Sequence, residues 1–166
     1  MQSAKDSFYV TLRDRLAALD PERTVVIDGV ARPAVIVAEN QAVTAAPPLP
    51  EAFYLAWGAA QPVKSMQGAA RPLLALECAI GYRTAGSKES SGVDRSRCLC
   101  ALDCELLQIC APPCAAKHDH TQSPCAALGT QLFWTPPLLG DVERVGGELR
   151  RQATLTVFFF PEVDLR

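Results

Sequence analysis

The sequence lacks the features that mark most enzymes, nucleic-acid-binding proteins and membrane proteins. Its 166 residues include only two histidines, and they contain no P-loop, no G-x-G-x-x-G and no H-E-x-x-H motif. The 16 basic and 18 acidic residues give a net charge of −2. They form no block of one sign, which argues against nucleic acid or an anionic membrane as a partner, because both require clustered cations.

Export and membrane signals are also missing from the sequence. No apolar run without charge reaches about 18 residues, so the sequence predicts no membrane span. Residues 1–7 do not have the pattern of a secretory signal peptide, and we expect the protein to stay in the compartment where it is made. The seven cysteines are then expected to be reduced thiols, so we predict no disulfide framework.

The composition is that of a chain that folds. Hydrophobic residues make up 49% and charged residues 20% of the sequence, which are ordinary values for a globular protein and exclude general disorder. A chain of this length buries roughly two thirds of its unfolded surface. We therefore predict one domain spanning residues 1–166.

Helical and strand periodicities are clear in several segments. Residues 3–19 predict a helix that packs through Phe8, Leu12, Leu16 and Leu19, and residues 94–109 predict a second helix with a comparable stripe. Alternating or β-branched runs predict strands. The predicted strands are residues 24–27, 34–38, 52–57, 72–83 and 149–160.

These elements combine into an α+β fold. We predict a two-layer domain whose sheet is mainly antiparallel or mixed, with the two α-helices packed on one face. The small residues on the second face of strand 72–83 would leave room there for a helix or a neighbouring subunit. The proline-rich segment 41–50 and the Gly- and Ser-rich segment 84–92 are predicted loops, and residues 111–147 are predicted to form a long irregular loop.

One segment raises the question of metal binding. The candidate ligands are Cys110, Cys114, His118, His120 and Cys125. Their number would close a tetrahedral zinc site, but the C-x2-C knuckles of structural zinc sites are missing, so we assign no metal and no other cofactor. A cysteine nucleophile with one of these histidines as base is a further alternative, and we assign no catalytic residue because no recognisable strand-to-helix turn presents such a cysteine.

Charged residues near the predicted loop 84–92 and at the start of the last strand are candidate contacts with other proteins. For the arginines of the last strand, the alternative is that they only prevent pairing of an exposed sheet edge. The candidates are Arg83, Lys88, Glu89, Arg150 and Arg151.

The layout of the whole chain resembles the phage tail terminator proteins. The resemblance rests on FYVTLRDRLAAL, VVIDGVARPAVIV, LLALECAIGYRT, DRSRCLCALDCELLQI and RRQATLTVFFFPEVD in this order. It implies a structural virion protein and not an enzyme: a ring, typically of six subunits, that binds the last ring of the tail tube, stops tube growth and joins the head connector. The implied partners are copies of itself, the tail tube protein and the head–tail connector or neck protein. The implied location is the host cytoplasm during assembly and then the tail or neck of the virion.

Two other interpretations remain open from the sequence. The chain could be another neck or tail-completion protein of a phage or of a contractile injection device. It could instead be a zinc-binding protein-interaction module built on the cysteines and histidines of residues 110–125.

Overall fold

The computed structural model describes residues 1–40, 49–64, 71–87 and 93–162, which form two helices and a large β-sheet beside a small hairpin. The helices are α1 (Gln2–Leu19) and α2 (Asp94–Ile109), and a short 3-10 helix spans Ala38–Asn40. The strands are β1 (Thr24–Ile27), β2 (Val30–Pro33), β3 (Val35–Val37), β4 (Phe53–Pro62), β5 (Leu74–Thr84), β6 (Cys114–Asp119), β7 (Ala126–Trp134), β8 (Leu138–Leu139), β9 (Glu143–Val145) and β10 (Glu148–Phe159).

Both helices form where the apolar stripes predict them. In α1, Phe8, Leu12 and Leu16 are fully buried, whereas Leu19 at the end of the predicted stripe is exposed. The helix ends there because Asp20 precedes a proline and adopts an extended conformation. The predicted stripe of α2 is confirmed in full, and it buries Leu99, Leu102, Leu106 and Ile109.

The large sheet is mixed, with the strand order β3-β4-β5-β10-β7-β6. Strands β3 and β4 are parallel, and the other neighbouring pairs are antiparallel. Strand β10 is the centre: β5 pairs with it along its length, and β9, β8 and β7 complete its other edge in three pieces. Strands β1 and β2 form a separate hairpin.

The helices and the sheet bury one hydrophobic core between them. Helix α1 packs on β3 and β6, and α2 packs on β5 and β10. The inward residues of β5 and β10 include Ile80 and Val157, which are fully buried. The predicted α+β two-layer fold is confirmed.

The prediction of a long irregular loop at residues 111–147 is wrong. This segment contains β6, β7, β8 and β9, and β6 and β7 form a hairpin. Alanine and glycine are frequent in these strands, and prolines surround them, so local propensity gives little strand signal. Pairing and packing produce the strands instead. The two neighbouring aromatic residues of β7 have different environments: Trp134 is buried in the core, and Phe133 is exposed.

Helix α1 protects the outer edge of β6. The Ser7 hydroxyl accepts a hydrogen bond from the backbone N–H of His118 at 2.9 Å and donates one to the His118 carbonyl at 3.3 Å. Further along the strand, Arg15 donates to the carbonyl of Cys114 at 3.0 Å. These side chains satisfy backbone groups that would otherwise be available to pair with another strand.

Replacing Ser7 by alanine should therefore destabilise the protein by about 1–3 kcal/mol, because two backbone groups of His118 lose their partner at a buried position. Urea unfolding measures the loss. The matched control is Ser3→Ala in the same helix, where no side-chain hydrogen bond is made within the described structure, and it should cost far less. Equal losses for the two variants would show that the edge contact contributes nothing.

Candidate interaction surface

The face of the sheet opposite the helices has no helix on it in the part of the chain that the structure describes. Successive residues of a strand point to opposite faces, so the strands that bury large residues inward present their other residues here. Along most of β4, β5 and β10 these outward residues are small or polar, whereas Phe158 makes one end of β10 apolar. They include Ala56, Ala79, Gly81, Gln152 and Thr154, and we call this surface the open face.

A groove runs along the open face. Two adjacent cavities, of about 610 Å³ and about 660 Å³, share Leu138, Gln152 and Thr154 as lining residues, so they form one continuous depression. Ala56 and Ala79 line one end, and Tyr54 and Arg83 line the other. The groove is open to solvent.

The segment that includes β8 forms one wall of the groove. It lies against β10, where the N–H of Gly140 donates to the carbonyl of Gln152 at 2.9 Å. A Cβ atom at position 140 would stand 2.7 Å from that carbonyl oxygen, so glycine is required for this close approach. Leu138 projects from the wall with 73% of its surface exposed. Leu139 and Val142 of the same segment are also exposed, and a cluster of exposed apolar side chains beside a groove is typical of a contact surface.

Ion pairs occupy one end of the open face. Arg83 and Glu148 form an ion pair, and Arg150 contacts the other oxygen of Glu148 at 3.3 Å. The hydrogen bond from Arg83, with a further one from Arg150, holds the pKa of Glu148 below its usual range. The structure thus brings the predicted contact residues Arg83 and Arg150 together, with Glu148 as the partner that the sequence did not indicate.

Arg151 lies in a different environment from its neighbour. Its guanidinium donates to Asp103 of α2, and the hydroxyl of Tyr82 donates to the other carboxylate oxygen. Asp103 is 9% exposed. Burial and the hydrogen bond to Asp103 raise the pKa of Tyr82. This cluster joins α2 to the sheet, so Arg151 has a structural role, and its contact with another protein stays a prediction.

Replacing Asp103 by asparagine should destabilise the protein by about 1.5–3 kcal/mol, because the charged hydrogen bonds to Arg151 and Tyr82 are lost inside the fold. Thermal and urea unfolding measure the effect. Asp14→Asn is the matched control, since Asp14 pairs with Arg13 at the surface, where such pairs contribute about 0–1 kcal/mol. A variant at Asp103 as stable as the one at Asp14 would contradict this role for the cluster.

The other two predicted contact residues, Lys88 and Glu89, lie outside the described residues. So does most of the predicted loop at residues 41–50, together with residues 88–92 of the second predicted loop.

The candidate metal ligands are spread over several places. Cys110 is buried at the end of α2, Cys125 is exposed, and Cys114 and His118 lie four residues apart on β6. A strand advances by about 3.3 Å per residue, which separates the last two by about 13 Å. The rings of His118 and His120 lie near each other, with centroids 6.0 Å apart. In the described parts of the chain, no three His, Cys, Asp or Glu side chains are grouped so that they could hold a metal ion.

The two buried thiols are poor nucleophiles. Burial raises the pKa of Cys110 to about 12, and it raises the pKa of Cys78 further. The thiolate is the reactive form, and a catalytic cysteine requires a lowered pKa. These two cysteines are therefore structural members of the core.

Comparisons with known proteins give no family for the chain. No model of a known protein family matches the sequence, and no curated protein sequence matches it. Within the described residues, neither helix is both long and apolar enough to cross a membrane.

Proposed function

We propose that the chain is a structural assembly subunit of a phage tail, a terminator that forms a ring on the head-proximal end of the tail tube and joins it to the head connector. The observation that supports this proposal is the open face. One side of the sheet packs on both helices, and the other presents small residues, a groove and the exposed Leu138. A surface of this kind is suited to contact with another protein.

Ring closure needs a heterologous contact, in which two different surfaces of identical subunits meet. The open face is one such surface. The edge of β6 is unsuited to serve as the second surface through strand pairing, because Ser7 and Arg15 already bind backbone groups there. Contact through side chains in the groove fits these constraints. It also avoids the uncontrolled growth that follows from free strand edges.

Charge supports a protein partner for the open face. Arg83 and Arg150 share Glu148, so one of their two positive charges is neutralised within the subunit. The remaining positive charge can pair with a carboxylate of a neighbouring subunit in a ring, whereas nucleic acid would need several uncompensated cations. The near-neutral net charge of the chain, −2, agrees with this reading.

The proposal is tested on tails from the phage that encodes the chain. Gold-labelled antibody against the protein, viewed by electron microscopy, should mark one end of each tail, the end that meets the head. Labelling along the tube, or at the host-facing tip, would contradict the proposal. Labelling in the neck above the tube would favour another neck protein over a terminator.

A further inference from the structure

Helix α2 exposes two free thiols on its outer surface. Cys100 and Cys104 are both exposed, while the packing stripe of the helix faces the sheet. Free cysteine is among the most frequently buried residue types, so two exposed cysteines on successive turns of one helix have no explanation in packing. Cys98 does not belong to this pair. It lies two positions before Cys100 in the helix, so the two side chains point about 200° apart around the helix axis.

The spacing brings the two thiols onto one side of the helix. Residues four apart on a helix are neighbours, with Cβ atoms about 5–6 Å apart. A relaxed disulfide needs Cβ atoms about 3.5–4.5 Å apart, so the helix disfavours a direct sulfur–sulfur bond. Two metal–thiolate bonds of about 2.3 Å place the sulfur atoms up to about 4.6 Å apart when one ion lies between them. Cysteines whose Cβ atoms are about 5–6 Å apart can bring their sulfur atoms to this distance.

A bound cation would offset the charge repulsion within the pair. Two adjacent thiolates repel each other unless a positive ion lies between them. The nearby carboxylate of Asp103 is not available as a ligand, since Tyr82 and Arg151 engage both of its oxygens.

We propose that Cys100 and Cys104 bind one monovalent copper ion. Each thiol releases its proton to solvent, and the ion forms one bond to each sulfur, which gives a bis-thiolate complex with one negative charge and two free protons. Two soft ligands suit copper(I), whereas zinc requires about four ligands. The described residues offer no third histidine, cysteine or carboxylate in a ligand group with this pair. This site is independent of the proposed ring function.

The test is an anaerobic titration of the fully reduced protein with copper(I) held by a coloured chelator. The intact chain should take one equivalent of copper from the chelator and bind it at this pair. The Cys100→Ser and Cys104→Ser variants should each bind one equivalent less. The matched control is Cys125→Ser, which removes an exposed cysteine elsewhere and should leave the binding unchanged. Circular dichroism establishes that the variants keep the helix.

Native mass spectrometry gives a second measurement on the same samples. The neutral mass of the complex should be that of the chain plus one copper minus one proton, because one proton compensates the negative charge of the bis-thiolate complex. Copper retained equally by the intact chain and the Cys104→Ser variant would overturn the proposal, and so would the absence of binding to the intact reduced protein.

Discussion

Replacing Thr154 by arginine should prevent assembly of the proposed ring and leave the protein monomeric. Thr154 is exposed at the centre of the groove, where it pairs in register with Ala79 on one side and Leu138 on the other. In a ring whose contacts include the open face, the arginine would be buried beside Ala79 and Leu138, neither of which can pair with its charge. An uncompensated buried charge costs about 3–5 kcal/mol. The subunit affinity should therefore fall by roughly two orders of magnitude or more.

The monomer should keep its fold in this variant, because the side chain at position 154 points away from the core. Thr24→Arg is the matched control: it places the same residue at an exposed strand position in the β1–β2 hairpin. Analytical ultracentrifugation compares the assembly of the two variants, and circular dichroism compares their folds. Rings of normal size from the Thr154 variant would show that the open face is not an assembly contact.

Replacing Phe8 by alanine should lower the free energy of unfolding by about 3–5 kcal/mol. The Phe8 ring is fully buried and meets Trp57 and Trp134 edge to face, with centroids 5.7 Å and 5.1 Å away. It therefore connects α1 to β4 in one half of the sheet and to β7 in the other. Removal of the ring leaves a cavity at this junction and eliminates the two aromatic contacts.

Urea unfolding of the Phe8 variant should be compared with that of Phe133→Ala. Phe133 is also a phenylalanine, but it is about half exposed, so the same truncation should cost much less. Comparable losses at the two positions would contradict the place of Phe8 at the centre of the core.

Local patterns predict the elements that have a strong periodicity of their own. The stripes of α1 and α2, and the alternation along β5 and β10, are visible in the sequence because one face of each element is buried by large residues. Together they determine the two-layer fold.

The strands within residues 111–147 could not be predicted in the same way. Strand β6 has Ala115, Ala116 and the fully buried Lys117 where a typical strand has β-branched residues. The Lys117 ammonium is buried because it donates to the carbonyl of Phe160 at 2.6 Å and pairs with Glu162, both distant in sequence. Such partners are known only once the chain is folded.

The candidate surface was predictable only in part. The small residues on the second face of β5 indicated space for a neighbour, and Arg83 and Arg150 were predicted contact residues. The groove wall at Leu138 was not indicated, since it depends on the pairing of a two-residue strand with β10. The one local signal was Gly140, whose close approach to β10 requires the absence of a side chain.

The most direct test of the account is the mass of the purified protein in its native state. Native mass spectrometry, with negative-stain electron microscopy of the same sample, should find a closed ring with one fixed number of subunits. A protein that stays monomeric at every concentration, both alone and in the presence of tail tubes, would contradict the assembly function.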